Sequence, residues 1–285
     1  MSTTPTTASL DRLKDETGSF SMLAIDQRES LRTMMGATSS APVTDQDLVN
    51  FKTAASKALT PFASAVLLDR QYGLEAAAAS SAPLILAADI LHQVPGGPVT
   101  DASLDTDLTV DMIHQVDAAA LKMLVPWLPD ARQKAIDLAA AFMDLCQAAG
   151  VPGIVEGVVR PEDIAQWSDA ARDEAIVQAA ADLSAVHPDL YKAEVPSYGR
   201  GDLANITAMS REITKVLDCP WVVLSSGVHA NDFPPAVKAC REGGAGGFLA
   251  GRAVWADAFA APNAEEFLIT EGAARLQRIK EIAGR

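Results

Sequence analysis

The 285-residue chain carries 23 Lys and Arg against 37 Asp and Glu, a formal charge of −14 at neutral pH. That balance, with no cluster of Lys or Arg, argues against a nucleic-acid partner, and it gives weight to any cation placed where an anionic ligand could bind. No run reaches the roughly 18 apolar residues of a membrane span, the Ser/Thr-rich start has no apolar core of signal-peptide length, and Cys146, Cys219 and Cys240 lack paired spacing. A cytoplasmic protein without a disulfide frame is expected, its cysteines being small core residues.

In chain order, eight short apolar runs recur, and each ends in or beside polar residues. They are FSMLAID (Phe20 to Asp26), ASAVLLD (Ala63 to Asp69), PLILAAD (Pro83 to Asp89), ALKMLV (Ala120 to Val125), PGIVEGVV (Pro152 to Val159), DLYKAEVP (Asp189 to Pro196), PWVVLSSG (Pro220 to Gly227) and AGGFLAGR (Ala245 to Arg252). Near-continuous hydrophobic strands of this length suit a parallel sheet covered on its outer face. The intervening stretches read as helices. Thr44, with Asp47 three residues on, can cap a helix through QDLVNFKTAASKAL; ARQKAIDLAAAFMDLCQAA puts Ile136, Ala139, Met143 and Cys146 on one face before Gly150 ends it. Asp202 or Asn205 can open the helix bearing Ile206, Met209, Ile213 and Val216. Asn231 followed by Pro234 can open another, and Asn263 with Glu266 can open the last. This alternation predicts an α/β fold, a single-domain (β/α)8 barrel over residues 1–285 with a short N-terminal arm of about 15 residues.

In such a barrel the polar strand ends crowd one mouth, where active sites lie. Lys192 is a lone ammonium inside an apolar strand, which is costly unless it works, and a buried lysine is a common imine-forming nucleophile. A primary amine attacks a ketone only when neutral, a state favoured by burial or by a second cation. Lys122, two strands away, can supply that cation; its alternative is a buried salt bridge to Glu156 or Glu194. Glu156, between the two lysines in strand order, suits proton transfer. Asp26 and Gln27 offer an acceptor and an amide for sugar hydroxyls, although an Asp at a strand end also caps loops. Ser225, Ser226 and Gly227 after the seventh run, with Gly251 and Arg252 after the eighth, match the loops that often form a phosphate cradle in this fold. GAGGF lacks the strand, turn and helix context of a dinucleotide motif.

MLAIDQRES, LYKAEVPSYGRGD, WVVLSSGV and GGFLAGRAVWAD together resemble the class I aldolases of the tagatose-1,6-bisphosphate aldolase and sulfofructosephosphate aldolase group, from about residue 20 to about residue 260. SSGV paired with AGRAVW, LYKAEVPSYG and VVRP after Glu156 look more like the sulfofructosephosphate aldolases; LLDRQYGLEA looks like the tagatose enzymes. The resemblance implies cleavage of 6-deoxy-6-sulfofructose 1-phosphate to dihydroxyacetone phosphate and 3-sulfolactaldehyde. In it Lys192 is the nucleophile, Lys122, Glu156, Asp26 and Gln27 surround it, and Ser226, Gly227, Gly251 and Arg252 bind the phosphate. No metal or other cofactor is implied. Arg28 or Arg160 would hold the far end of the sugar, and Arg28 could instead be a surface residue paired with Glu29 or Glu75. The alternatives are tagatose 1,6-bisphosphate as substrate, or a non-catalytic sugar-phosphate-binding barrel. A metal-dependent aldolase fits poorly, because His92, His114, His187 and His229 are scattered. Trp255, Phe259 and the apolar tail make a homo-oligomer the expected assembly.

Overall fold

A computed structural model of the protein describes residues 9–93, 97–160 and 167–284. The eight apolar runs form eight parallel strands that close on themselves. In order around the barrel they are β1 (Phe20–Ala24), β2 (Val66–Leu68), β3 (Leu84–Ala87), β6 (Ala120–Trp127), β7 (Gly153–Val159), β8 (Leu190–Glu194), β9 (Trp221–Leu224) and β10 (Gly247–Ala250), which returns to β1. Strand alternation divides the core in two. Met22, Leu67, Ile85, Ile154, Leu190, Val222 and Leu249 fill the barrel, while Leu23, Val66, Leu86, Leu121 and Val223 face the helices. Leu13, in a short turn of the N-terminal arm, belongs to the inner cluster, so the described part of the arm plugs the barrel floor; residues 1–8 lie outside the described residues.

Side-chain capping sets several helix starts. Thr44 and Asp47 form a reciprocal capping box on α2 (Asp45–Leu59), Asp202 caps α7 (Leu203–Val216), and Asn263 accepts from Glu265 and Glu266 at the closing helical segment. Gly150, at φ 67°, ends α5 (Arg132–Ala149) in the left-handed conformation that glycine adopts most readily. Three expectations need correction. The N-cap position of α8 (Phe233–Glu242) is Asp232, one residue past Asn231. The buried face of α5 is Ala135, Ala139, Phe142, Cys146 and Ala149, leaving Ile136 and Met143 half-buried. Trp255, expected at an oligomer surface, is core: it is fully buried, donates its indole N–H to the Ala24 carbonyl at 2.9 Å and packs edge-on against Phe51.

One element was not foreseen. Immediately after β3, the chain builds an antiparallel hairpin of β4 (Asp89–His92) and β5 (Asp101–Leu104), which stands over the barrel mouth before β6 begins. Among the described residues, no helix is long and apolar enough to cross a membrane.

Candidate active site

The mouth holds a cavity of about 490 Å³, into which the ends of all eight expected runs except the second and third send lining residues. Lys122, Glu156 and Lys192 form its floor. They occupy inward positions of β6, β7 and β8, and Glu156 is the direct lateral partner of Lys192 in the strand register. All three side chains are under 10 % exposed, so their charges meet with little water between them. A Glu156 carboxyl oxygen lies 2.6 Å from Lys122 Nζ and 3.0 Å from Lys192 Nζ.

Lys122 is enclosed by carboxylates. Besides Glu156, its Nζ donates to Asp26 Oδ2 at 3.0 Å and to Asp89 Oδ2 at 3.2 Å. Burial opposes the charge on Lys122, but Asp26, Asp89 and Glu156 together raise it well above the usual lysine value. The reciprocal effect holds Asp26 and Asp89 below the usual carboxylate range: burial alone would raise both, and Lys122 is the main force that overrides it. Of the two readings of Lys122, second cation or buried salt bridge, the geometry contains both, since the ammonium that pairs with Glu156 is also the cation facing Lys192. Glu194 is elsewhere. Its oxygens accept from the Val159 N–H at 2.7 Å and the Arg172 guanidinium at 3.0 Å, tying the ends of β7 and β8 to α6 (Asp169–Ser184).

Asp89 ends the third apolar run and joins the site as a residue that the sequence pattern alone does not single out. Its Oδ1 accepts from Arg28 at 2.9 Å, its backbone carbonyl accepts from Arg28 at 2.7 Å, and its Oδ2 takes the Leu124 N–H at 2.9 Å. Arg28 therefore lines the cavity with its fork already engaged; it pairs with neither Glu29 nor Glu75, but with two buried aspartates, Asp89 and, at 3.9 Å, Asp69. Arg160 also lines the cavity, donating to the carbonyls of Val99 and Val159 at 2.8 Å, with Glu194 at 3.9 Å. Pro161, the end of the VVRP phrase, lies outside the described residues.

The two anion loops meet. The Arg252 guanidinium donates to Ser226 Oγ, and among the described residues no carboxylate forms an ion pair with it. Burial lowers the pKa of Arg252 from its ordinary value, Asp26 and Glu156 pull it back, and Arg160 is near enough to oppose the charge further. A desolvated, uncompensated guanidinium is a strong anion receptor. Ser225 lines the cavity as well, and its buried Oγ accepts the Gly251 N–H at 3.1 Å, locking one loop to the other. Gly251 passes so close to β1 that a Cβ there would lie 2.7 Å from the Ala24 carbonyl oxygen. Gly227, at φ 76°, faces the Tyr198 ring, which a Cβ would approach to 2.9 Å. Gln27 lines the same cavity, and its Oε1 is buried without a hydrogen-bond partner among the described residues. A buried, unmet acceptor costs about 1–3 kcal/mol, and a ligand hydroxyl would meet it.

The DeoC/LacD family aldolase profile matches residues 20–257. The chain is 29 % identical over 307 residues to tagatose 1,6-diphosphate aldolase 2 of Enterococcus faecalis, covering 96 % of this chain and 92 % of that protein. It is 31 % identical over 280 residues to tagatose 1,6-diphosphate aldolase 1 of the same organism, covering 87 % and 83 %. Among solved structures, a fructose-bisphosphate aldolase from Plasmodium falciparum superposes with a TM-score of 0.70 at 11 % identity, over 98 % of this chain and 96 % of that one. An archaeal fructose-1,6-bisphosphate aldolase with its catalytic Lys bound to a carbinolamine intermediate superposes at 0.65 with 16 % identity, over 96 % and 97 %. At those identities the superpositions show the shared (β/α)8 barrel.

Proposed function

The chain belongs to the DeoC/LacD family of aldolases, enzymes that break carbon–carbon bonds, and from that premise we propose a Schiff-base mechanism with Lys192 as the nucleophile. The observation that carries it is the single Glu156 oxygen in contact with both the Lys192 and the Lys122 ammonium groups, all three side chains being buried.

Neutral Lys192 attacks the C2 ketone of an open-chain ketose 1-phosphate, and loss of water leaves an iminium that draws electrons from the C3–C4 bond. Glu156 takes the proton of the C4 hydroxyl as that bond breaks and the aldehyde leaves. The enamine is then protonated at C3 and hydrolysed, releasing dihydroxyacetone phosphate and free Lys192. Lys122 stays charged and steadies the negative charge that develops near C4 oxygen. Arg252 and Ser226 receive the C1 phosphate, while Gln27 and Asp26 bind hydroxyls. Borohydride with dihydroxyacetone phosphate should trap an adduct that mass spectrometry maps to Lys192, with activity surviving EDTA. An adduct on another lysine, or activity lost to chelation and restored by a divalent metal, sinks the mechanism.

We propose further that the far end of the substrate is a singly charged sulfonate, as in 6-deoxy-6-sulfofructose 1-phosphate. In support, Arg28 is neutralised by Asp89, which leaves Arg160, facing Glu194 at 3.9 Å, as the far-end cation, a match for a singly charged group better than for a second phosphate. The second reading, tagatose 1,6-bisphosphate, is favoured by the names of the Enterococcus relatives. In a side-by-side assay the sulfonate substrate should show kcat/KM at least about tenfold higher, roughly 1.4 kcal/mol of differential transition-state binding. Equal or better turnover of the bisphosphate transfers the assignment to tagatose 1,6-bisphosphate and leaves the imine standing.

A further inference from the structure

We propose that Lys52 is a positioning residue of this active site: its ammonium clamps the two peptide carbonyls on either side of Asp26 and thereby aims Asp26 and Gln27 into the cavity. The proposal rests on the aldolase reading above.

Helix α2 carries an anomaly. Its buried stripe is Leu48, Phe51, Lys52, Ala55, Ser56 and Leu59, and Lys52 within it is fully buried. A methionine would fill that position without the desolvation of an ammonium, which costs several kcal/mol even after relaxation. Burial does lower the pKa of Lys52 from its ordinary value, and Asp69 opposes the shift. What the charge supplies is three donors. Nζ donates to the Ile25 carbonyl at 2.5 Å, the Gln27 carbonyl at 2.8 Å and Asp69 Oδ2 at 2.5 Å, so every ammonium proton has an acceptor.

Those carbonyls are where the barrel stops helping. The β1–β2 ladder ends with the Ile25 N–H donating to the Leu67 carbonyl, and the next residues turn out of the sheet. A buried carbonyl beyond the last ladder bond needs another donor, and Lys52 provides it twice. Asp69 is itself anchored, its Oδ1 accepting the Tyr72 N–H at 2.7 Å at the end of β2. The ammonium thus joins the turn after β1 to the turn after β2. With the peptide group before Asp26 and the one after Gln27 both fixed, the two-residue segment between them is bracketed, and the Asp26 side chain is directed toward Lys122, at 3.0 Å. Gln27 is fixed with it, its buried Oε1 held ready for a substrate hydroxyl. Lys52 touches neither side chain: its hydrogen bonds reach Asp26 and Gln27 through the backbone, beside the attraction between its charge and that of Asp26.

Lys52→Met/Asp69→Asn removes the Lys52–Asp69 pair as a unit while the new amide oxygen keeps the Tyr72 contact, and Arg28, 3.9 Å from Asp69, keeps its bonds to Asp89, so no buried charge is left without a partner. We expect this full-length variant to remain folded by thermal melting and to form the borohydride adduct with dihydroxyacetone phosphate on Lys192. Its kcat for ketose cleavage should fall ~30- to 100-fold, in line with a displacement of about 1 Å at a reacting group, with KM changed far less. In Lys52→Ala, added propylammonium should restore kcat, and uncharged propanol of similar size should not. A wild-type protein without the Lys192 adduct overturns the underlying aldolase mechanism. A wild-type adduct together with a folded double variant of unchanged kcat overturns the positioning role alone, as does equal rescue by propanol.

Discussion

Lys122 and Lys192, brought from strands separated by β7, meet at the same carboxyl oxygen of Glu156, at 2.6 Å and 3.0 Å. Two ammonium groups that share one carboxylate cannot be altered independently, and each substitution changes the charge seen by the other.

Lys122→Met should therefore do more than lower the rate. It leaves Asp26, Asp89 and Glu156 without their common cation, and breaking a buried pair from one side costs about 3–5 kcal/mol. The surplus negative charge favours the ammonium form of Lys192, so kcat should fall at least ~100-fold and its pH optimum should move upward. A pH–rate profile and a urea titration of the variant test both effects. An unmoved optimum removes Lys122 from the control of the nucleophile.

The same cluster makes a statement about acid and alkali. Asp26 and Asp89 are held below their unfolded values, so their stabilising contribution is present above about pH 4 and drains away as pH falls further. Lys122 is raised, so its contribution is full below about pH 10 and is lost only as pH climbs toward its folded value. Asp89→Asn should accordingly be less stable than the wild type from pH 5 to 8, and the gap should narrow between pH 4 and pH 2. Denaturation midpoints that run parallel over the whole range would contradict this.

Arg252→Ala should act chiefly on binding. Its guanidinium is half-buried, holds Ser226 and has no ion-pair partner among the described residues, so removing it takes away anion affinity without stranding a protein carboxylate. KM for the phosphorylated sugar should rise by ~30-fold or more, worth about 2 kcal/mol, while kcat changes less. An unaltered KM excludes Arg252 from the phosphate site.

Gly227→Ala should raise KM through packing. The added Cβ meets the Tyr198 ring at 2.9 Å and requires φ 76°, which costs about 1–2 kcal/mol for a non-glycine residue. The ring cannot easily retreat, because Tyr198 itself sits at φ 51° with the Arg172 guanidinium 3.7 Å from its centroid. Tyr198→Ala introduced beside Gly227→Ala should recover part of the lost affinity. A double variant no better than Gly227→Ala means that the ring is not the obstacle.

The barrel was legible because each strand is a short apolar run bounded by turn residues, and because Thr44, Asp202 and Asn263 are cap residues whose signal is local. The floor of the site was legible for a related reason: Lys122, Glu156 and Lys192 are charged residues interrupting apolar strands, an exception that burial makes conspicuous. Asp89 and Lys52 lacked that contrast. Asp89 reads as an ordinary strand-end aspartate until Arg28 and Lys122 are seen on its two oxygens, partners 61 and 33 residues away. Lys52 reads as one more lysine on an amphipathic helix, and its position on the buried side depends on helix phase, which a single substitution in a stripe hardly alters. The engagement of Arg28 was equally hidden, since nearby Glu29 and Glu75 offered simpler partners.

The hairpin of β4 and β5 begins on Asp89, whose carboxylate is a neighbour of Lys122, and its far portion passes Val99 to Arg160. Its root is thus bonded to the Lys122 cluster on the cavity floor, and Gln93, Gly97, Pro98 and Val99 nearer its crest line the cavity wall. Evolution can lengthen, shorten or rewrite the crest and so trial new sugars, because the chemistry is held lower down. The root allows no such freedom. Among descendants of this chain, substrate range should diversify at the crest while an acid persists at position 89, so that a change of diet requires no new catalytic apparatus.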